Sequence, residues 1–436
     1  MTDTVYTKPK LTGVMRESTS YSNMGLGLTD RVMLLGHADG ISLYDMKLVL
    51  NLQSTVNDLD ADTSSPLLRS LFETYYSGAR DIWIMAVAPM EEYVADPSER
   101  LTAGAGRGTT SYTNLGIADL YTMVNRLRDI RSVPHLVAPS SAAWDGYNFY
   151  QRYYKRLELA YEVLMHQDIP QLLTPVEALF NGTGATDFLA QLAEHCGDAL
   201  LYSGAIRMGF LGTRSDVLNN NANTVVTTTA NDNRLDVSGD SRKFVSIVYG
   251  EASMNMKEFP TSYTAPAVTA AMGILSNLPI SRGIIYQPMP VVIAPVGGDL
   301  TAAQITTLTE RKLNPIIRTT RGKRGEPFQT VVVTDNTLGT TGTDFWSMGQ
   351  VRLLMHIIDQ VRALSGQYIG TIEYGEYKRK VQRYMVGLVS QSHIRGFNLN
   401  ISKAPDDPNQ LLVDISVQPY LGLRQLTFIT TVGPGA

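Results

Sequence analysis

The chain has 436 residues, 44% of them hydrophobic, enough for two or three domains with buried cores. Its single cysteine, Cys196, excludes an internal disulfide framework, and its net charge of −4 argues against a chain that coats nucleic acid. The opening MTDTVYTKPK lacks the apolar run of a secretory leader, and no stretch reaches the roughly 18 apolar residues of a membrane span, so no membrane insertion and a reducing cytoplasm are expected.

Residues 1–25 are polar, carry Pro9, Gly13 and Gly25, and read as an arm; its stretch 11–16 becomes a strand if it finds a sheet edge. Residues 31–36 form a compact apolar run ending in Gly36, the pattern of a buried strand. Ser64, Ser65 and Pro66 mark a helix start, followed by Leu67, Leu68, Leu71, Phe72 and Tyr75 at helical spacing, with Gly78 as the stop. Residues 81–87 are strand-like again, so a βαβ unit with a parallel pair is expected. The theme continues with strand-like 135–138, a helix over 148–166, a strand over 169–176 and a helix over 186–196. Short strands at 206–211 and 244–249 and a small-residue helix over 265–278 complete an α/β pattern. Residues 214–242, with Asn219, Asn220 and Asn221 followed by Thr227, Thr228 and Thr229, read as a surface excursion.

The last third changes character. Residues 345–364 form an amphipathic helix striped by Val351, Leu354, Met355, Ile358 and Val361. A second helix over 377–389 buries Val381, Tyr384, Met385 and Leu388 and carries Lys378, Arg379, Lys380 and Arg383 on its other face. Phe397, Leu399 and Ile401 then alternate with Asn398, Asn400 and Ser402. After a Pro-Asp-Asp-Pro turn, Leu411, Val413, Ile415 and Val417 alternate with polar residues, which predicts a hairpin. A last strand over 424–432 places Leu426, Phe428, Thr430 and Val432 on one face. A lone hairpin is marginal in water and its edge is a template for another strand. The final strand can fold back onto that edge or cross to a neighbouring molecule. Residues 301–436 hold 15 Lys+Arg against 10 Asp+Glu, leaving the first 300 residues acidic. Such asymmetry fits either a face that meets an acidic partner or scatter between two domains.

Motifs for chemistry are weak. There is no nucleophile elbow and no phosphate-binding Gly-Lys-Ser/Thr loop. Gly104, Gly106 and Gly108 lack the strand–helix context of a phosphate loop. Asp58, Asp60 and Asp62 imitate a calcium loop, but Thr63 replaces its Gly and Arg69 its final Glu. His37, His135, His166, His195, His356 and His393 are scattered, and His195 beside Cys196 has no metal-ligand spacing. No catalytic set, cofactor or metal is therefore expected. Two basic segments stand out: Arg318, Arg321, Lys323 and Arg324 in a Gly-containing loop, and the four cations of the 377–389 helix. They fit phosphate contacts, docking on an acidic protein, or a solvated face.

Several segments, in order, resemble the contractile tail sheath proteins of myophages and related injection machines. They are LTGVMREST with RVMLLGHADG, SPLLRSLFETYYSGARDIWIMAV, SYTAPAVTAAMGILSNLPISRG, KLNPII, DFWSMGQVRLLMHIIDQVRAL, the hairpin GFNLNIS with LLVDISVQPY, and RQLTFITTVG. The stretch SRGIIYQPMPVVIAP departs from the family's usual Trp-rich form. The resemblance implies an α/β plus α+β fold, with outer α/β domains of parallel strands and an inner α+β domain whose sheet neighbouring subunits complete. It implies an N-terminal arm at 1–25, a βαβ part at 26–100, a variable outer domain at 101–300, a conserved inner domain at 301–420 and a C-terminal arm at 421–436.

It also implies a structural, non-enzymatic subunit that stacks in rings as a helical homo-oligomer around a tail tube protein. Baseplate and tail terminator proteins would lie at the ends, in a virion tail assembled in the host bacterial cytoplasm. Contraction would drive the tube through the host envelope for genome delivery, with no direct nucleic-acid contact. Strand exchange would use Leu11, Gly13, Val14 and Arg16 and Leu426, Phe428, Thr430 and Val432 from neighbours, received by Phe397, Leu399, Leu411, Val413 and Ile415. Lys378, Arg379, Lys380 and Arg383 would face the tube. The competing readings are an α/β enzyme with an assembly domain and a nucleic-acid-associated virion protein.

Overall fold

The computed structural model describes residues 30–59, 65–93, 149–165, 167, 171–180, 187–203, 205–213, 223–236, 240–259, 261–319, 328–339, 347–366, 374–403 and 411–419. The first part of the chain gives β1 (Val32–His37), β2 (Lys47–Leu48), α1 (Leu52–Asp58), α2 (Pro66–Tyr76) and β3 (Ile82–Ala88). It continues with α3 (Phe149–Met165), β4 (Leu172–Pro175), α4 (Phe188–Asp198), β5 (Met208–Gly212), α5 (Asn223–Ala230), β6 (Val245–Tyr249), β7 (Glu251–Met254) and β8 (Tyr263–Pro266). Then come α6 (Val268–Asn277), β9 (Val292–Pro295), α7 (Ala302–Glu310), β10 (Asn314–Thr319) and β11 (Gln329–Val332). The last elements are α8 (Met348–Gly366), α9 (Tyr374–Ser390), β12 (Ile394–Lys403) and β13 (Leu411–Pro419).

The chain divides into two compact units, Met1–Asp359 and Gln360–Ala436, with the division inside α8. The first unit is built on an eight-stranded sheet ordered β11-β10-β6-β5-β4-β1-β3-β2. The expected βαβ unit is present: β1 and β3 pair in parallel, Val32 opposite Ile82, with α2 between them. The run from β6 through β5, β4 and β1 to β3 is parallel throughout, and β10 adds in parallel beside β6. Parallel strands are buried on both faces, which is why β1 is apolar without alternation and buried at every position. Gly209 and Gly212, three residues apart on β5, face opposite sides. A Cβ on Gly209 would lie 2.6 Å from Leu192 of α4, and one on Gly212 would lie 3.2 Å from Val268 of α6. Helices therefore cover both faces of the sheet. A smaller antiparallel sheet, β8-β7-β9, belongs to the same unit.

Local signals explain most helix ends. Ser65 accepts from the Leu68 amide, Pro66 opens α2, and Gly78 follows it at φ +118°. Close packing of α2 on α6 needs Gly273, since a Cβ there would sit 2.5 Å from the Thr74 carbonyl oxygen. At the same contact, Glu73 accepts from the Tyr263 hydroxyl at 2.7 Å and from the Thr269 hydroxyl. Burial pushes its carboxyl up to about 7, against these hydrogen bonds.

One expectation is corrected. The Asn- and Thr-rich stretch read as a surface excursion contains α5. Its Val226, Thr229 and Ala230 are buried at helical spacing, the Thr229 hydroxyl donates to the Val225 carbonyl, and Arg311 donates to the Ala230 carbonyl at 2.6 Å. One buried stripe outweighs the weak helix propensity of threonine. Strands on both sides of residue 100 share the large sheet, and β10 joins it through Asn314 opposite Val248. The Asn314 side chain strengthens that union by donating to the Ile247 carbonyl at 3.0 Å and accepting from the Asn336 amide at 2.6 Å.

Candidate assembly surface

In the second unit, α9 buries Tyr377, Val381, Met385 and Leu388, one stripe at helical spacing. The Tyr377 hydroxyl donates to the Val361 carbonyl at 3.3 Å, tying α9 to the last turns of α8. The helix closes at Ser392, at φ +61°, where the His393 amide donates to the Leu388 carbonyl and turns the chain into β12.

The predicted hairpin forms. Phe397 lies opposite Val417, Leu399 opposite Ile415 and Ile401 opposite Val413, while Asn398 faces Ser416 and Asn400 faces Asp414. One side of the ribbon is thus apolar and the other polar. Ile394 and Ile401 are buried, but Phe397, Leu399, Leu411, Val413, Ile415 and Val417 remain half-buried. Among the described residues, no third strand joins this sheet. A two-stranded ribbon of this length with a half-covered apolar row leaves its edges and part of its apolar face without a further strand among the described residues.

Of the four helix cations, Arg379 and Arg383 are exposed and one turn apart on the side opposite the buried stripe, near exposed Val386. Lys378 and Lys380 are half-buried on the two flanks, and the Lys380 ammonium lies 3.9 Å from the Glu376 carboxylate. The expected single basic face is therefore a pair of arginines with a lysine on either side. The strand-donor residues Leu11, Gly13, Val14, Arg16, Leu426, Phe428, Thr430 and Val432 lie outside the described residues, as do Asp60, Asp62, the Gly104–Gly106–Gly108 loop, His135 and His166.

Several of the remaining polar candidates serve packing, while Arg321, Lys323 and Arg324 lie outside the described residues. Arg318 lies in β10 with its guanidinium over the Phe328 ring at 4.6 Å. Asp58 pairs with Lys47 at 2.6 Å. His195 accepts from buried Arg207 at 2.9 Å, and burial together with that cation holds its imidazole neutral, well below the usual histidine range. Between β1 and β4, where the connections leave to opposite sides, α/β proteins often bind ligands. Here the position is filled by His37, hydrogen-bonded to Glu177 at 2.9 Å and stacked on Phe149 and Tyr153. Among the described residues no His, Cys, Asp or Glu group could hold a metal ion, and no helix is long and apolar enough to cross a membrane.

Sequence reasoning missed the buried charges: Arg156 with Glu92 at 2.5 Å, and Asp30 with Arg352 and His356, each at 2.5 Å. The available signal was a charge embedded in an apolar run, as at Arg156 beside Leu157 and at Arg352 between Val351 and Leu353.

No protein-family model and no curated protein sequence matches the chain. Its fold does match solved structures, and the fold class they define is that of contractile sheath proteins. The sheath complex of the PVC extracellular contractile injection system, in its contracted state, superposes with a TM-score of 0.57 at 11% identity over 98% of both chains. The sheath tail protein of Desulfitobacterium hafniense gives 0.54 at 13% identity, over 93% of this chain and 100% of that one. The sheath tail protein of Listeria innocua gives 0.57 at 11% identity, over 90% and 92%. Of the architecture expected from the sequence resemblance, the α/β part with parallel strands is observed, and smaller sheets accompany it.

Proposed function

We propose that this chain is the structural subunit of a contractile tail sheath. The observation that carries the reading is a fold shared along nearly the whole chain with sheath proteins of injection systems, ending in a two-stranded ribbon with a half-covered apolar face. Subunits polymerise helically around an inner tube, with baseplate and terminator proteins at the ends of a virion tail. Residues 11–16 and 424–432 of neighbours add strands to the β12–β13 ribbon. Main-chain hydrogen bonds then hold the mesh while Phe397, Leu399, Val413 and Ile415 set the register. Energy stored in the extended lattice drives the tube on contraction, so the subunit needs no nucleotide or metal chemistry of its own. Arg379 and Arg383, flanked by Lys378 and Lys380, supply a salt-sensitive contact to an acidic tube surface.

Electron microscopy of the purified chain tests the reading. Long helical tubes are expected, and deleting residues 420–436 should abolish them while leaving a folded monomer. Aggregation of the truncated chain would instead make 424–432 part of its own core. Reversing the four helix charges should weaken co-assembly with the tube protein, most strongly at low salt, while leaving folding intact; unchanged co-assembly would remove the tube-facing role.

A further inference from the structure

Asp30 is the first described residue, and β1 begins two positions later. Its carboxylate is fully buried, and its amide donates to the Ser276 carbonyl at the end of α6. Both carboxylate oxygens are bound by α8: Oδ2 accepts from Arg352 Nε and Oδ1 faces His356 Nε2, each at 2.5 Å. Arg352 is itself fully buried and spends its other nitrogens on the carbonyls of Leu278 and Arg282, both at 2.8 Å, just beyond α6. The neighbouring residue repeats the bond with reversed sign. Arg31 reaches Asp359 at 3.3 Å, and Gln171 bridges the two, donating to Asp359 at 2.6 Å and accepting from the Arg31 amide at 3.0 Å.

Arg352, His356 and Asp359 follow one face of α8 at i, i+4 and i+7. They read cation, imidazole, anion against the anion–cation order of Asp30–Arg31. The match fixes the register: sliding α8 by one turn would leave Asp30 and Arg352 buried without their counter-charges. Gly349 holds the same helix against the turn after α6, where a Cβ would lie 3.0 Å from the Gly283 amide nitrogen. Beyond Asp359 the helix continues into the second unit.

We infer that Asp30 and Arg31 form a latch that carries a displacement of the chain before residue 30 directly into α8, in parallel with the sheet that the Arg31 carbonyl also joins through the Leu172 amide. The inference rests on the sheath reading for its purpose, since there the segment at 11–16 is held by a neighbour and a pull on it would reach α8 in the same subunit. A lattice whose subunits move together needs such a path. The charged bonds make it all-or-none, because the pairs are either engaged or broken.

Single-molecule pulling on the full chain tests the latch without any assembly. Handles at Thr2 and Ala363 load it, while handles at Thr227 and Thr306 bypass it. Two variants are compared with the parent: Asp30→Asn, and a triple replacement (Asp30→Leu, Arg352→Met, His356→Leu) that keeps side-chain bulk and leaves no charge unpaired. In the Thr2–Ala363 geometry the first-rupture force should fall at least twofold in both, with no change in the Thr227–Thr306 geometry. Equal first-rupture forces for parent and triple replacement would overturn the latch. So would an equal fall in both geometries, which marks general loss of stability. Tube formation by the parent is scored separately, so failure of the sheath reading and failure of the latch give different results.

Discussion

The strands at the centre of the eight-stranded sheet and the strands of the C-terminal ribbon are both rich in Leu, Ile and Val, yet they end in different states. Every residue of β1 is buried, as is every residue of β4, β5 and β6. In β12 and β13 only Ile394 and Ile401 are buried, and the rest of the apolar row is half-covered. The first region is finished by its own chain: helices lie on both faces and each strand has neighbours. The second has its pattern and register in place but, among the described residues, too few strands to use them. Continuous hydrophobicity marks strands covered on both faces, and strict alternation marks a ribbon with one face covered.

Mutations should separate the two regions, starting with the largest effect. Glu92→Ala leaves the fully buried Arg156 guanidinium without its carboxylate, so chemical denaturation should show a loss of about 3–5 kcal/mol. Leu34→Ala, in the middle of β1, should cost about 2–5 kcal/mol by the same measurement. A comparable stability for either variant and parent would mean that the sheet is not the sealed core it is taken for.

Glu73 adds a pH axis to the sealed region. Its folded-state carboxyl is pushed up to about 7, above its unfolded value, so the folded chain prefers the proton. The associated stability is fully present below about pH 4.3 and is lost as pH rises towards 7, by up to about 3 kcal/mol. Glu73→Gln should flatten that fall in melting temperature between pH 4.5 and 7, and a parallel pH profile would refute it. The smallest effect belongs to the ribbon. Leu399→Thr should change monomer stability by less than about 1 kcal/mol, because the site is only half-buried, yet it should sharply reduce tube formation. A monomer as badly damaged as Leu34→Ala would erase the distinction between the regions.

Much of the fold was legible because its signals are local. The Ser65–Pro66 start and Gly78 stop framed α2, and the alternation of 397–402 and 411–418 announced the hairpin and its apolar face. The α5 helix was hidden because Asn and Thr composition speaks for a loop, and only tertiary burial of Val226, Thr229 and Ala230 reverses that. Nothing local in 314–319 announces that Asn314 will pair with Val248, 66 positions earlier. At the assembly surface the apolar row could be read in advance. The four cations could not be resolved into an outward arginine pair and two flanking lysines without the helix's exact rotation. The buried charges around Asp30 join segments more than 300 positions apart, a distance no sequence pattern spans.

Cys196 lies in α4 with no exposed surface, and burial raises its thiol to about 12. As the chain's one cysteine it is a built-in clock. A thiol-specific dye can reach it only when α4 lifts from the sheet, so the labelling rate counts openings of the sealed region and ignores motion of the ribbon. Followed through the contraction proposed above, an unlabelled thiol would say that the subunit moved as a rigid piece, and a labelled one that it unfolded to do so.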